Sequence, residues 1–163
     1  MQEPPLRFRR RLFASYRQSS ISGDSGSRLL LMVQFTGFMN RSGEIIPELM
    51  RRYGVAPDDF IVIVDNMDLK PGVCRLKKGG GNAGHNGLKS LIEYMGSGDF
   101  NRLYIGIGRP ASGISVVDHV LGEPDGGDAL DITTACLRAA VSIKELAHRP
   151  FARIMEELNR REP

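Results

Sequence analysis

Residues 62–89 read VIVDNMDLKPGVCRLKKGGGNAGHNGLK. The apolar run Phe60-Ile61-Val62-Ile63-Val64 that leads into them is β-branched and of strand length, which predicts a strand buried on both faces and ended by Asp65. A carboxylate at the tip of such a strand, followed by the turn chemistry of Lys70-Pro71-Gly72, stands where α/β proteins place working groups. Arg75, Lys77 and Lys78 then mark a basic strand. It runs into Gly79-Gly80-Gly81-Asn82-Ala83-Gly84, where little side-chain bulk keeps a ligand from the backbone. His85-Asn86-Gly87 opens an amphipathic helix, whose free N–H groups beside lysines predict a corner for a phosphate or carbonyl oxygen.

Working outward, the 163 residues allow one domain, 1–163, with a sizeable core, and 41% apolar with 25% charged residues is ordinary for a globular protein. The net charge of +3 and pI near 9.1 favour an anionic partner. Cys74 and Cys136 lie far apart with no Cys-x-x-Cys or Cys/His spacing, which predicts reduced thiols and a cytoplasmic setting. No apolar run approaches the roughly 18 residues of a transmembrane helix, so no membrane role is expected.

Upstream, Leu6, Phe8, Leu12, Ala14 and Tyr16 alternate with Arg7, Arg9, Arg11, Ser15 and Arg17. That period of two predicts a half-buried strand with a basic outer face rather than an amphipathic transit helix. A turn at 19–27 joins it to an apolar strand at 28–35, giving a hairpin or meander. Asn40 falls at the next strand-to-helix junction, where a cap is the simplest role. The following helix rests on Ile45, Ile46, Leu49, Met50 and Tyr53, with Pro47 implying a late start or a bend.

Downstream, Leu88, Leu91, Ile92 and Met95 share one helix face, and 102–108 read as a strand with Gly106 and Gly108 allowing close backbone approach. Ile132, Cys136, Ala139, Ile143 and Leu146 predict a long helix over 128–147. Phe151, Ile154, Met155 and Leu158 predict a last one after Pro150. Asp68 reads as a turn residue, and His119 and His148 as solvent or core side chains.

FMNRSG at 38–43, VDNMDLKPG at 64–72, GGGNAGHNGLK at 79–89, RLYIGIGRP at 102–110 and DHVLG at 118–122 together resemble the bacterial-type peptidyl-tRNA hydrolase family, in its order and at compatible spacings. The resemblance covers about 13–158. It implies an α/β domain with a mixed central β-sheet flanked by helices, and hydrolysis of the ester joining a peptide to the 3′ end of tRNA, with no metal or organic cofactor. It further implies peptidyl-tRNA, through its acceptor stem and 3′ end, as the partner, and a monomer with no obligate protein partner.

By motif position, Asp65 resembles the aspartate that pairs with the catalytic histidine, and Asn86 the asparagine that positions water or the developing oxyanion. Asn40 resembles the asparagine that holds the peptide part and helps orient the catalytic histidine, with Phe38, Met39 and His85 as further substrate-binding positions. Arg75 and Lys77 match cations presented to the acceptor phosphates, while Tyr104 stands where many relatives carry a basic side chain. Such a set is chemically coherent: a base to activate water, a carboxylate to fix its tautomer, and amide donors where negative charge develops.

The family's opening strand, its Gly-rich turn and its Thr-Arg-His-Asn segment, which supplies the histidine, have no counterpart here. The expectation is therefore a truncated reading or misplaced start, a fold lacking its first strand and helix, and an uncovered slot in the sheet. A catalytically inactive RNA-binding module is the alternative.

Overall fold

A computed structural model describes residues 9–10, 16–22 and 29–160, with side chains from residue 30 on. In chain order they form strands β1 (Arg9–Arg10), β2 (Tyr16–Ser22) and β3 (Leu29–Phe35), a 3-10 segment Met39–Ile45 and helix α1 (Ile46–Tyr53). Strands β4 (Ile61–Asn66) and β5 (Cys74–Lys78), helix α2 (Asn86–Met95) and strand β6 (Asn101–Gly106) follow. Helices α3 (Val116–Leu121), α4 (Gly126–Glu145) and α5 (Phe151–Arg160) complete the order. Two compact units result: one takes the described residues up to Phe60 with Gly79–Phe100, the other Ile61–Lys78 with the described residues from Asn101 on.

The first unit carries an antiparallel sheet in the order β1-β2-β3. β2 and β3 pair from Tyr16↔Phe35 to Ser22↔Leu29, so the expected hairpin forms, but Ser19, Ser20 and Ser22 are strand rather than turn. Cross-strand pairing overrides the weak strand preference of serine there. Most of the strand expected before Tyr16, and the remainder of the turn, lie outside the described residues.

Beyond β3 the Met39–Ile45 segment leads directly into α1, whose late start places Pro47 in the first turn, where its missing N–H costs nothing. The segment packs on α2 so closely that a Cβ on Gly43 would lie 2.3 Å from the Ser90 carbonyl oxygen. In the same contact the Gly43 N–H donates to Ser90 Oγ at 3.0 Å, out of water. Ile46, Leu49, Leu88, Leu91, Met95 and Phe100 are the buried apolar side chains of this unit.

The second unit is built on a mixed sheet in the order β4-β6-β5, with β4 parallel and β5 antiparallel to β6. Alternation along β5 sends Cys74 and Leu76 inward and leaves Arg75 and Lys77 exposed. The inward residues join Leu103 and Ile105 of β6, Ala135 and Ala139 of α4, and Ile154 and Leu158 of α5 in one core. The apolar faces expected of α4 and α5 are present, with one change. Cys136 is exposed, and Ala135, one position earlier, is the residue that packs inward.

α5 also closes an edge of the sheet, since Asn159 Nδ2 donates to the Leu76 carbonyl and Asn159 Oδ1 accepts from the Leu76 N–H, both at 2.9 Å. β4, at the other edge, pairs with no further described strand. Its burial on both faces is not realised: Ile63 is 52% exposed, although its partner Leu103 across the ladder is buried.

Both cysteines are free thiols, and burial pushes that of Cys74 up. A thiol reagent should therefore modify Cys136 at least ~100-fold faster than Cys74 in the native protein, and both equally in denaturant. Two fast thiols in the native state would contradict the packing of β5.

Candidate active site

The first unit gathers Phe38, Met39, Asn40, His85 and Asn86 around the start of α2. Phe38 takes the N-cap position of the 3-10 segment, and the Arg41 N–H donates to its carbonyl at 2.8 Å. Asn40 is therefore inside that segment, exposed, and is not its cap. Met39 is held from behind by Ser42, whose Oγ donates to the Met39 carbonyl at 2.7 Å. The Arg41 guanidinium lies along the Glu44 carboxylate, at 2.6 and 3.0 Å, and holds its pKa below the usual carboxylate range. Phe38 and Met39 are 77% and 60% exposed, an unusual display for two large apolar side chains in adjacent positions.

The glycine run is a folded connection rather than a slack one. The Gly79 N–H donates to the Phe100 carbonyl at 3.0 Å and that of Gly80 to Gly98 at 3.2 Å. Asn82 then makes an Asx turn, its Oδ1 accepting from the Gly84 N–H at 2.9 Å while its carbonyl accepts from the His85 N–H at 2.8 Å. Gly84 has φ of +81°, which glycine adopts without the Cβ penalty.

His85 is the N-cap of α2, and its Nδ1 accepts from the Gly87 and Leu88 N–H groups at 3.1 and 3.2 Å. The expected corner of free N–H groups is thus largely taken by the histidine itself. Asn86 becomes the first residue of the helix, with its side chain exposed. A Cβ on Gly87 would lie 2.7 Å from Met39 Sδ and 2.9 Å from His85 Cε1, so only glycine leaves room for both side chains here.

The second unit holds Asp65, Arg75 and Lys77. Asp65 is half-buried and does not end its strand; it is the penultimate residue of β4, opposite Ile105. The turn beyond it is shaped by Asn66, whose Oδ1 accepts from the N–H groups of Asp68 and Leu69 at 2.8 and 3.1 Å. Asp68 instead forms an exposed ion pair with Arg109. The DNMD spelling offers more than one side chain competent for that turn, and only the geometry distinguishes them. The turn then folds back on β6, where a Cβ on Gly106 would lie 2.1 Å from the Lys70 carbonyl oxygen.

Arg75 and Lys77 project from the same face of β5, opposite Tyr104 and Arg102 of β6. Arg102 is only 1% exposed, its Nη1 3.4 Å from the Tyr104 hydroxyl. His119 is half-buried with Nε2 at 3.2 and 2.9 Å from the carbonyl oxygens of Ile107 and Gly108, which fits the expected structural role. Among the described residues no cluster of His, Cys, Asp and Glu has the form of a metal site. No described helix is long and apolar enough to cross a membrane.

Ser90 and the close packing of Gly43 on it went unnoticed in the sequence because each of the two reads as an ordinary helix or turn residue. Their role lies in a contact between segments 47 residues apart.

This arrangement has close parallels among known proteins. The family model described as peptidyl-tRNA hydrolase matches residues 3–163. The peptidyl-tRNA hydrolase of Geobacillus kaustophilus is 44% identical over 135 residues, 83% of this chain and 72% of that protein. That of Bacillus subtilis is 42% identical over 83% of this chain and 71% of its own length. A crystal structure of peptidyl-tRNA hydrolase in complex with N-propanol superposes with a TM-score of 0.85 at 28% identity, covering 97% of this chain and 79% of that one. The Acinetobacter baumannii enzyme gives 0.83 at 29% identity, covering 94% and 77%. With a family model spanning nearly its whole length and relatives above 40% identity, the chain belongs to the peptidyl-tRNA hydrolase family.

Proposed function

We propose that the protein hydrolyses the ester between a peptide and the 3′ end of tRNA, in the cytoplasm and as a monomer. The observation that carries this reading is the start of α2. There a capped helix exposes Asn86, Met39 reaches Gly87 in the next position, and Phe38 and Asn40 are exposed on the segment packed against α2. Peptide side chains find that surface in Phe38 and Met39, and a peptide carbonyl finds a donor in the Asn40 amide. The Asn86 amide positions the attacking water and donates to the oxyanion as the ester carbonyl becomes tetrahedral. Asp65 is the carboxylate partner of the histidine base in this reading, a base that His85, engaged at Nδ1, does not itself supply. Arg75 and Lys77 take the acceptor-stem phosphates.

RNA binding without turnover is a second reading. It is favoured by His85 Nδ1 accepting from two backbone N–H groups, which leaves that nitrogen no lone pair for a proton.

The test is release of free tRNA from a peptidyl-tRNA by this chain and by a version extended upstream, with binding measured across a salt series. Turnover by either supports the hydrolase; salt-sensitive binding with no turnover by either supports the second reading. Arg75→Ala and Lys77→Ala should each lower the slope of log K against log salt by about 1 and weaken binding uniformly across tRNAs. An unchanged slope in both would remove β5 from the tRNA footprint.

A further inference from the structure

We infer that His85 is a positioning residue, acting through Nδ1 as the cap that sets Asn86 at the head of α2, and not as a base or a substrate ligand. The inference rests on the role proposed above for Asn86. Two backbone donors, the N–H groups of Gly87 and Leu88, converge on the same ring nitrogen. A nitrogen accepting two N–H bonds carries no proton, so the ring is the tautomer protonated at Nε2. Its lone pair is occupied, which removes it as a proton acceptor for water.

The ring is fixed at both ends of its own residue. The His85 N–H is held by the Asn82 carbonyl, and the His85 carbonyl accepts from the Lys89 N–H at 3.0 Å as the first bond of the helix. Met39 Sδ would lie 2.7 Å from a Cβ on Gly87, the first of the two N–H donors to the ring. Asn86 lies between the cap and the two N–H groups the cap holds, so its backbone angles are set by that bridge. Histidine is an uncommon N-cap, since serine, threonine, aspartate and asparagine reach the same donors with smaller side chains.

The acceptor function separates this role from the others. Asparagine accepts from N2 and N3 N–H groups as a cap but is no base at neutral pH, whereas alanine can do neither. In His85→Asn, kcat for peptidyl-tRNA should stay within about 3-fold of the parent protein. In His85→Ala it should fall about 10-fold with KM within about 2-fold, the loss of one cap expressed at the Asn86 amide. Nitrogen-15 NMR of the full chain should show His85 protonated at Nε2. The Gly87 and Leu88 amides should exchange slowly in the parent protein and in His85→Asn, and fast in His85→Ala.

Equal inactivity of the asparagine and alanine variants would overturn the inference, as would a proton on Nδ1 or fast exchange of both amides in the parent protein. Absence of turnover in both this chain and the extended version would count against the hydrolase reading alone. The NMR arm then decides the cap, with the Asn86 side-chain amide resonances shifting in His85→Ala and not in His85→Asn if the cap positions that residue.

Discussion

Replacing Asp65 by asparagine should slow tRNA release by about 100-fold or more, with KM for peptidyl-tRNA little changed. Asparagine has the shape of aspartate, and the site sits at the end of β4 where the chain is turning, so the ladder with Ile105 has no reason to open. What disappears is the negative charge. A neutral amide presents a donor as readily as an acceptor, so it no longer selects one tautomer of the base or stabilises the imidazolium that proton transfer creates. The comparison is made in whichever version of the chain turns over, with thermal unfolding as the control for folding. A rate within about 3-fold of the parent protein would remove Asp65 from the chemistry.

Gly106→Ala should be the most destabilising of the small substitutions, by about 1–3 kcal/mol, which for a chain of this size lowers Tm by about 2–4 °C per kcal/mol. The new Cβ would stand 2.1 Å from the Lys70 carbonyl oxygen and 2.9 Å from both the Leu69 carbonyl oxygen and Cβ. Relief by movement is blocked on both sides. β6 is the central strand of its sheet. The turn after β4 is fastened to it by the Ile107 N–H on the Asn66 carbonyl, the Gly106 N–H on Val73 and the Gly108 N–H on Leu69, at 3.0, 2.8 and 2.9 Å. Gly126→Ala is the control, because a Cβ at the first residue of α4 meets nothing within 4 Å. Equal Tm values for the two variants would mean that the turn does not press on β6.

Much of this was legible before any coordinates. The basic strand marked by Arg75, Lys77 and Lys78 and the helical spacing of Phe151, Ile154, Met155 and Leu158 each follow from local chemistry, and each stands in the structure. Local chemistry failed where a distant partner decides. Ser19–Ser22 spell a turn, yet lie in a ladder supplied by β3. Cys136 satisfies a helical period as well as Ala135 does, and only the packing of α4 selects between them. The run 79–84 spells flexibility, but Phe100, Gly98 and the Asn82 side chain supply its order.

For the candidate site, residue types alone indicated polar chemistry at the head of α2. They could not show that His85 turns its acceptor back on its own helix, since that depends on a side-chain torsion.

The amide of Asn159 has one further consequence. By taking both the N–H and the carbonyl of Leu76, a single side chain does the work of a neighbouring strand, so the β5 border of this sheet has nothing left to offer an intruder there. Among the described strands the β4 border has no such guard. End-to-end stacking of sheets into a fibre requires two receptive borders on every copy, and α5 withholds one of them for as long as it stays docked.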